Sequence, residues 1–531
     1  MTEESHSQTG KIARAAGTVS VAVFFSRLLG LVREQVFAAL FGAGLAYDAF
    51  VVAYRIPNLL RELFAEGALS AAFVTVFTHY DQREGPERTW RLANSVACAV
   101  ILVVGGIALL GIFSSSRLVG LLAPDFGRIP GKLDLTTVMT RIMFPFLPLI
   151  SLAALAMGVL NSKGKFFIPA IASSFFNLGS IGAGVALALA APVLGFSPIV
   201  GMAWGTLIGG ALQLVVQLPA VFKLGFRPGW ALDFKDEGLR RILWLMLPAV
   251  VGLSATQINV FINTFYAASC AQGSLSWLNY AYRVMFFPMG IFGAALSIAT
   301  LPVVSRQAAR GDLDTMKRTV RSSLSLSFLV TIPAALGLVV LAEPIIALLF
   351  QHGKFTAADT EKTAAALAFF AAGLFAYAGV KIVVPVFYAL NDTRVPVIGS
   401  FLTVGTNLLV INLTLAPLQH KAIALSMSLS GIFNFLFLSL MLYRKVGDFE
   451  IKYLLGLLAK VTGAGLVMAV VVSWFYFFQS DRLAPGLGGR FISLFSSIGV
   501  GVGVYGLIIF ALKIPEFQEL TDKLKARWMR R

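Results

Sequence analysis

Fourteen runs of predominantly apolar residues, the first at 17–41 and the last at 490–512, punctuate this chain. Each approaches or exceeds the roughly 20 residues that cross a bilayer core. In hydrocarbon no water can satisfy a backbone N–H or C=O, so a continuous apolar run of this length must bond within itself as a helix. The predicted fold class is an all-α polytopic membrane protein with about 14 transmembrane helices. Composition agrees, with 57% hydrophobic and 13% charged residues, where soluble domains carry about a quarter charged. The runs at 47–80 and 358–390 exceed what a bilayer needs and predict tilt or kinking.

The formal net charge of +17 raises nucleic acid as a partner, but the basic residues are distributed as a topological signal. Connections on one side hold 27 Lys and Arg, beginning with Lys11 and Arg14 and ending with the tail, against 7 on the other, Lys132 among them. Such a bias predicts cytoplasmic termini and an even number of spans, with no nucleic-acid partner. The arginine-interrupted first run predicts no cleaved signal peptide. Cys98 and Cys270 lie in or beside apolar runs and imply no disulfide framework.

The two halves repeat. AYRI at 53–56 recurs as AYRV at 281–284, and GALS at 67–70 as AALS at 294–297. VLNSKGKFFIPAIASSFFN at 159–177 aligns with ALNDTRVPVIGSFLTVGTN at 389–407, which pairs Asn177 with Asn407. The offsets of 227 to 230 span six helices, so both copies run the same way through the membrane. The predicted organisation is two pseudo-symmetric six-helix lobes, 1–236 and 237–446, followed by two C-terminal helices and a basic tail in 447–531. Two like lobes predict a cavity between them.

Against this apolar background the charges at membrane depth stand out. The first span carries Arg27, Arg33 and Glu34; the second carries Asp48, Arg55, Asn58, Arg61, Glu62 and Glu66, with Pro57 loosening the helix. Arg283 is the repeat partner of Arg55. A charge at the bilayer centre costs roughly 2.5–3.5 kcal/mol on insertion scales, so these groups must border water or pair with acids. Four acids in the first two spans balance four arginines there, which supports internal ion pairs. Arg283 has no acid in its own span. The other reading is an anion site, because the guanidinium fork matches phosphate oxygens two at a time. Lys381 is read as paired or snorkelling, and GKFT at 353–356 as a helix-start turn. No P-loop occurs, so direct ATP drive is unsupported, and no metal-ligand spacing or nucleophile–base constellation stands out; the paired lobes and their charges predict a transporter rather than an enzyme.

The blocks SRLLGLVRE, AYDAFVVAYRIPNLLRELFAEGALSAAFV, SWLNYAYRVMFFPMGIFGAALS and QHGKFT resemble the MurJ (MviN) family of lipid II flippases, within the multidrug/oligosaccharidyl-lipid/polysaccharide exporter superfamily. The likeness covers nearly the whole chain. It implies translocation of an undecaprenyl-diphosphate-linked peptidoglycan precursor, lipid II, across the bacterial inner membrane by alternating access. The family's essential arginines fall on Arg27, Arg33, Arg61 and Arg283, and its other sensitive polar positions on Ser26, Asp48, Asn58 and Glu66. Arg55 joins the candidate substrate contacts, and Glu34 and Glu62 the supporting or coupling acids. The last two helices would border a groove for the lipid tail. Two positions depart from the family: Tyr282 replaces an acid before Arg283, and Glu34 stands where relatives often have Asp. Some members hold sodium with acidic ligands where this chain has Asn263 and Asn407; two amides without a carboxylate suit sodium poorly, and interhelical hydrogen bonds are the competing reading. No cofactor is implied, and membrane potential or a coupled ion is the expected drive. The alternatives are a flippase for another polyprenyl-diphosphate-linked glycan, a cation-coupled antiporter of the same superfamily, and a non-transporting scaffold whose charges are all paired.

Overall fold

The computed structural model describes residues 2–63, 69–289, 294–480, 482, 486–519 and 522. Within these the chain is helical, and it divides into two compact units, Met1–Gly273 and Ser274–Arg531. The first unit contains α1 (Thr2–Phe41), α2 (Leu45–Arg61), α3 (Ser70–Arg83), α4 (Gly85–Leu122) and α5 (Lys132–Met143). It continues with α6 (Phe146–Ser162), α7 (Phe167–Leu194), α8 (Pro198–Val215), α9 (Leu218–Lys223) and α10 (Glu237–Ala268). The second unit contains α11 (Ser274–Pro288), α12 (Ala294–Ala309), α13 (Leu313–Val340), α14 (Ala342–Phe350) and α15 (Ala357–Ala371). After these come α16 (Leu374–Ala389), α17 (Arg394–Leu418), α18 (His420–Val446), α19 (Ile451–Ser480) and α20 (Leu487–Ala511).

The duplication is visible in the order and length of these elements. The helices α1 to α8 recur as α10 to α18 about 228 residues later, with the long α4 matched by α13 and α14 together and α9 left as connector. The break between α5 and α6 recurs as a 41° bend between α15 and α16. The compact units divide at Gly273 and Ser274, so α10, which the sequence repeat assigns to the second lobe, packs with the first.

Among the described residues, ten helical segments are individually long and apolar enough to cross a membrane, and the bent α15–α16 pair makes an eleventh. The expected spans outside this set are 17–41, 47–80 and 275–304, the three that carry the arginine motifs. The second runs as α2 and α3 around residues 64–68, and the eighth as α11 and α12 around 290–293, both segments outside the described residues. Outward faces remain apolar, as at Phe113, 82% exposed, and Val193, 90% exposed, because hydrocarbon solvates them.

The core of the first unit joins Phe73 and Phe77 of α3, Leu92 and Val96 of α4, Val159 and Leu160 of α6, and Leu239 and Ile242 of α10. In the second unit Val320 and Leu324 of α13 meet Ile382 and Val386 of α16, Leu438 of α18 and Val461 of α19. Gly201, Gly205 and Gly209 let α8 approach α7 backbone to backbone. A Cβ at Gly205 would lie 2.6 Å from the Cα of Gly184. Small residues four apart are how membrane helices gain van der Waals contact without a hydrophobic drive. The turn expected at GKFT is found: Thr356 caps α15 in a reciprocal capping box with Asp359.

Candidate functional site

The residues of the first arginine motif face two environments. Arg27 and Ser26 line a cleft of about 490 Å³ formed by α1, the end of α6 and the start of α7. Val19, Val23, Met157 and Phe166 provide its apolar walls, and Asn161 and Ser173 further polar groups. Asn177 of α7 fixes the α1 backbone beside it, donating at 3.1 Å to the carbonyl of Ser26. Arg33 turns inward. Its guanidinium meets Glu34 at 3.0 Å and lies 5.4 Å over the ring of Phe176. Glu34 is buried, and its second oxygen accepts from the hydroxyl of Tyr47 at 2.5 Å. One carboxylate therefore serves a cation and a phenol at once. Arg33 Nε is buried with no hydrogen-bond partner among the described residues.

The second motif is organised around Glu62. Asn58, one turn earlier on α2, donates to one carboxylate oxygen at 2.9 Å, and Gln257 of α10 donates to the other at 2.9 Å. The Arg61 guanidinium approaches to 3.8 Å, beyond hydrogen-bond range. Two neutral amides thus fix the position of the acid beside the Arg61 guanidinium. Arg55 is half-buried on the same helix. Glu66 lies outside the described residues.

Asp48, at the start of α2, is buried with Lys132 of α5 at 3.1 Å, and the N–H of Gly273 donates to the same oxygen at 2.8 Å. The Lys132 ammonium also sits 4.1 Å over Phe126. Counted by sequence among the residues of an outer connection, Lys132 is instead a core cation. Gln257 and Lys132 were both missed as site residues. The available signal was an amide within the apolar run VVGLSATQINVF for the first, and none for the second.

In the second unit Arg283 is exposed on α11. Its neighbour Tyr282 packs edge-on against Phe370 at 5.7 Å, filling with an aromatic ring the position expected from the family to hold an acid. Lys381 lies 5.5 Å over Phe286, a cation–π contact consistent with the paired reading. Asn263 is half-buried on α10, and Asn407 is buried on α17, where its side-chain oxygen accepts from Ser426 at 2.8 Å.

The chain matches the family model for lipid II flippase MurJ over residues 37–487. It is 33% identical over 524 residues to the probable lipid II flippase MurJ of Vibrio cholerae, covering 96% of this chain and 98% of that protein. It is 36% identical over 468 residues to the lipid II flippase MurJ of Burkholderia cenocepacia, covering 87% and 89%. Among solved structures, lipid II flippase MurJ in an inward closed conformation superposes with a TM-score of 0.77 at 26% identity, over 93% of this chain and 99% of that one. An inward-facing multidrug resistance MATE family transporter of the MOP superfamily shares the fold, with a TM-score of 0.68 at 13% identity over 80% and 95%.

Proposed function

This chain belongs to the lipid II flippase MurJ family, and from that premise we propose that it carries lipid II from the inner to the outer leaflet of the bacterial inner membrane by alternating access. Both termini would then be cytoplasmic, as the Lys/Arg bias favours. The observation that supports this best is the amphiphilic cleft, where Arg27 and Ser26 stand beside Val19, Val23, Met157 and Phe166. A polyprenyl diphosphate has the same division, with anionic oxygens at one end of a hydrocarbon chain.

In this reading the diphosphate is held by arginine. Arg27 meets it first, since its guanidinium lies on an open wall. Arg33, held by Glu34 and Phe176, is set in a rigid mount with one donor still to satisfy. Arg61 and Arg283 supply further forks, and Glu62, held by Asn58, stands beside Arg61 on α2. Transport involves no covalent step. The drive is the membrane potential, which supplies ~2.3 kcal/mol per charge per 100 mV, or a coupled ion.

The test is complementation in cells depleted of their own flippase, with each of Arg27, Arg33, Arg61 and Arg283 changed to Ala. The expected result is loss of growth with protein still present in the membrane. Full complementation by all four variants would reject the diphosphate assignment. Native mass spectrometry with lipid II and with other polyprenyl-diphosphate glycans separates the cargo alternatives.

A further inference from the structure

A second cleft, of about 340 Å³, lies apart from the arginine motifs at the Lys/Arg-rich end of the first unit. Trp90, Arg91, Asn94 and Glu87 from the first turns of α4 line one side, and Gly225, Arg227 and Ala231 from the connection between α9 and α10 the other. This connection is clamped to α4. Asn94 donates to the Arg227 carbonyl at 3.0 Å and accepts from the Gly229 N–H at 3.1 Å, while the Ser95 hydroxyl donates to the carbonyl of Ala231. Gly225 has φ +101°, a backbone conformation that other residues rarely adopt, and it lies against the Trp90 indole.

Charge makes the cleft selective. The neighbouring acids are engaged elsewhere: Glu84 with Arg88 at 2.6 Å, Asp81 with Lys163, Asp236 as the cap of α10. Among the described residues neither Arg91 nor Arg227 is in an ion pair, and Glu87 is the one carboxylate on the wall against them. Depth is fixed too, because the cleft sits where two membrane helices, α4 and α10, begin. Trp230, 72% exposed, and Phe234 of the same connection are exposed, as are Phe222 of α9 and Trp244 of α10. Exposed aromatics with Lys and Arg at span ends mark the headgroup layer of a bilayer.

We propose that this cleft binds the phosphodiester headgroup of an anionic phospholipid of the adjacent leaflet. Arg91 and Arg227 hold the phosphate, and Trp230 and Phe234 lie at the glycerol level. The site is independent of the cargo.

The experiment is native mass spectrometry of the purified full-length chain titrated with phosphatidylglycerol or phosphatidylcholine. Wild type should retain phosphatidylglycerol preferentially. R91A/R227A should weaken that retention about tenfold or more and leave phosphatidylcholine unchanged. R240A/R241A, which removes equal charge from the first turn of α10 outside the cleft, should weaken it about twofold at most. E87Q should strengthen it, a gain that misfolding cannot produce. Equal effects of the two double variants, no gain from E87Q, or displacement of the lipid by 10 mM inorganic phosphate would each overturn the proposal.

Discussion

The Lys132 ammonium lies 3.1 Å from the carboxylate of Asp48, and each residue is 2% exposed. The pair ties α2 to α5, and Asp48 also receives the N–H of Gly273. Removing one partner leaves a buried charge uncompensated, which costs about 3–5 kcal/mol. K132M should lower the melting temperature of the purified protein by many degrees, and D48N/K132M should recover part of the loss. A double variant no better than K132M would mean that the two groups are not coupled.

Arg27 tests the fork. R27K keeps the charge but presents an ammonium in place of two parallel donors. Titration with lipid II should show R27K weakened by about tenfold, the scale of one lost charge-assisted hydrogen bond. Affinity equal to wild type would show that charge alone suffices at the cleft.

Gln257 tests the mount of Glu62. Q257E sets a second carboxylate where an amide now donates at 2.9 Å. Complementation should fall for Q257E and return in E62Q/Q257E, where an amide again faces an acid. A double variant as impaired as Q257E would assign the loss to some other contact of residue 257.

Gly205 tests the α7–α8 contact. G205L must displace α7, since even a Cβ would come within 2.6 Å of the Gly184 backbone. Overpacking of this kind costs about 1–3 kcal/mol or more. The membrane level of G205L should drop well below that of G182L, a position with nothing within 4 Å of a Cβ.

Asp392 gives a pH signature in the connection before α17. The Lys445 ammonium, followed by the N–H groups of Val395 and Arg394, holds its carboxyl below the usual range. A depressed folded value stabilises above the unfolded pKa of about 3.9 and is lost as pH falls through the folded value. The stability difference between wild type and D392N should therefore be constant from pH 7 to 5 and shrink below about pH 4. A difference that grows on acidification would reverse the assigned sign.

Much of the candidate site was legible because hydrocarbon makes polar residues conspicuous. Arg27, Arg33, Asn58 and Glu62 stand out in any apolar run, and the repeat offset named Arg283 and Asn407 as counterparts of Arg55 and Asn177. The pairings were not legible. Equal numbers of acids and arginines suggested ion pairs, and Arg33–Glu34 and Arg61–Glu62 are such pairs, but Glu62 also accepts from two amides, Glu34 also accepts from a tyrosine, and Asp48 is held by a lysine from another helix.

Read alone, the sequence was enough for the helical class, the duplication and the identity of the charged spans. Each follows from local rules: hydrocarbon forces backbone bonds inside the helix, and burying a charge is costly wherever it falls. Only the tertiary structure decided which charge meets which partner, because Asp48 and Lys132 are 84 residues apart and Glu62 and Gln257 are 195 apart. A carboxylate responds to whatever donor lies within about 3 Å of it, and that distance exists only after the helices have packed.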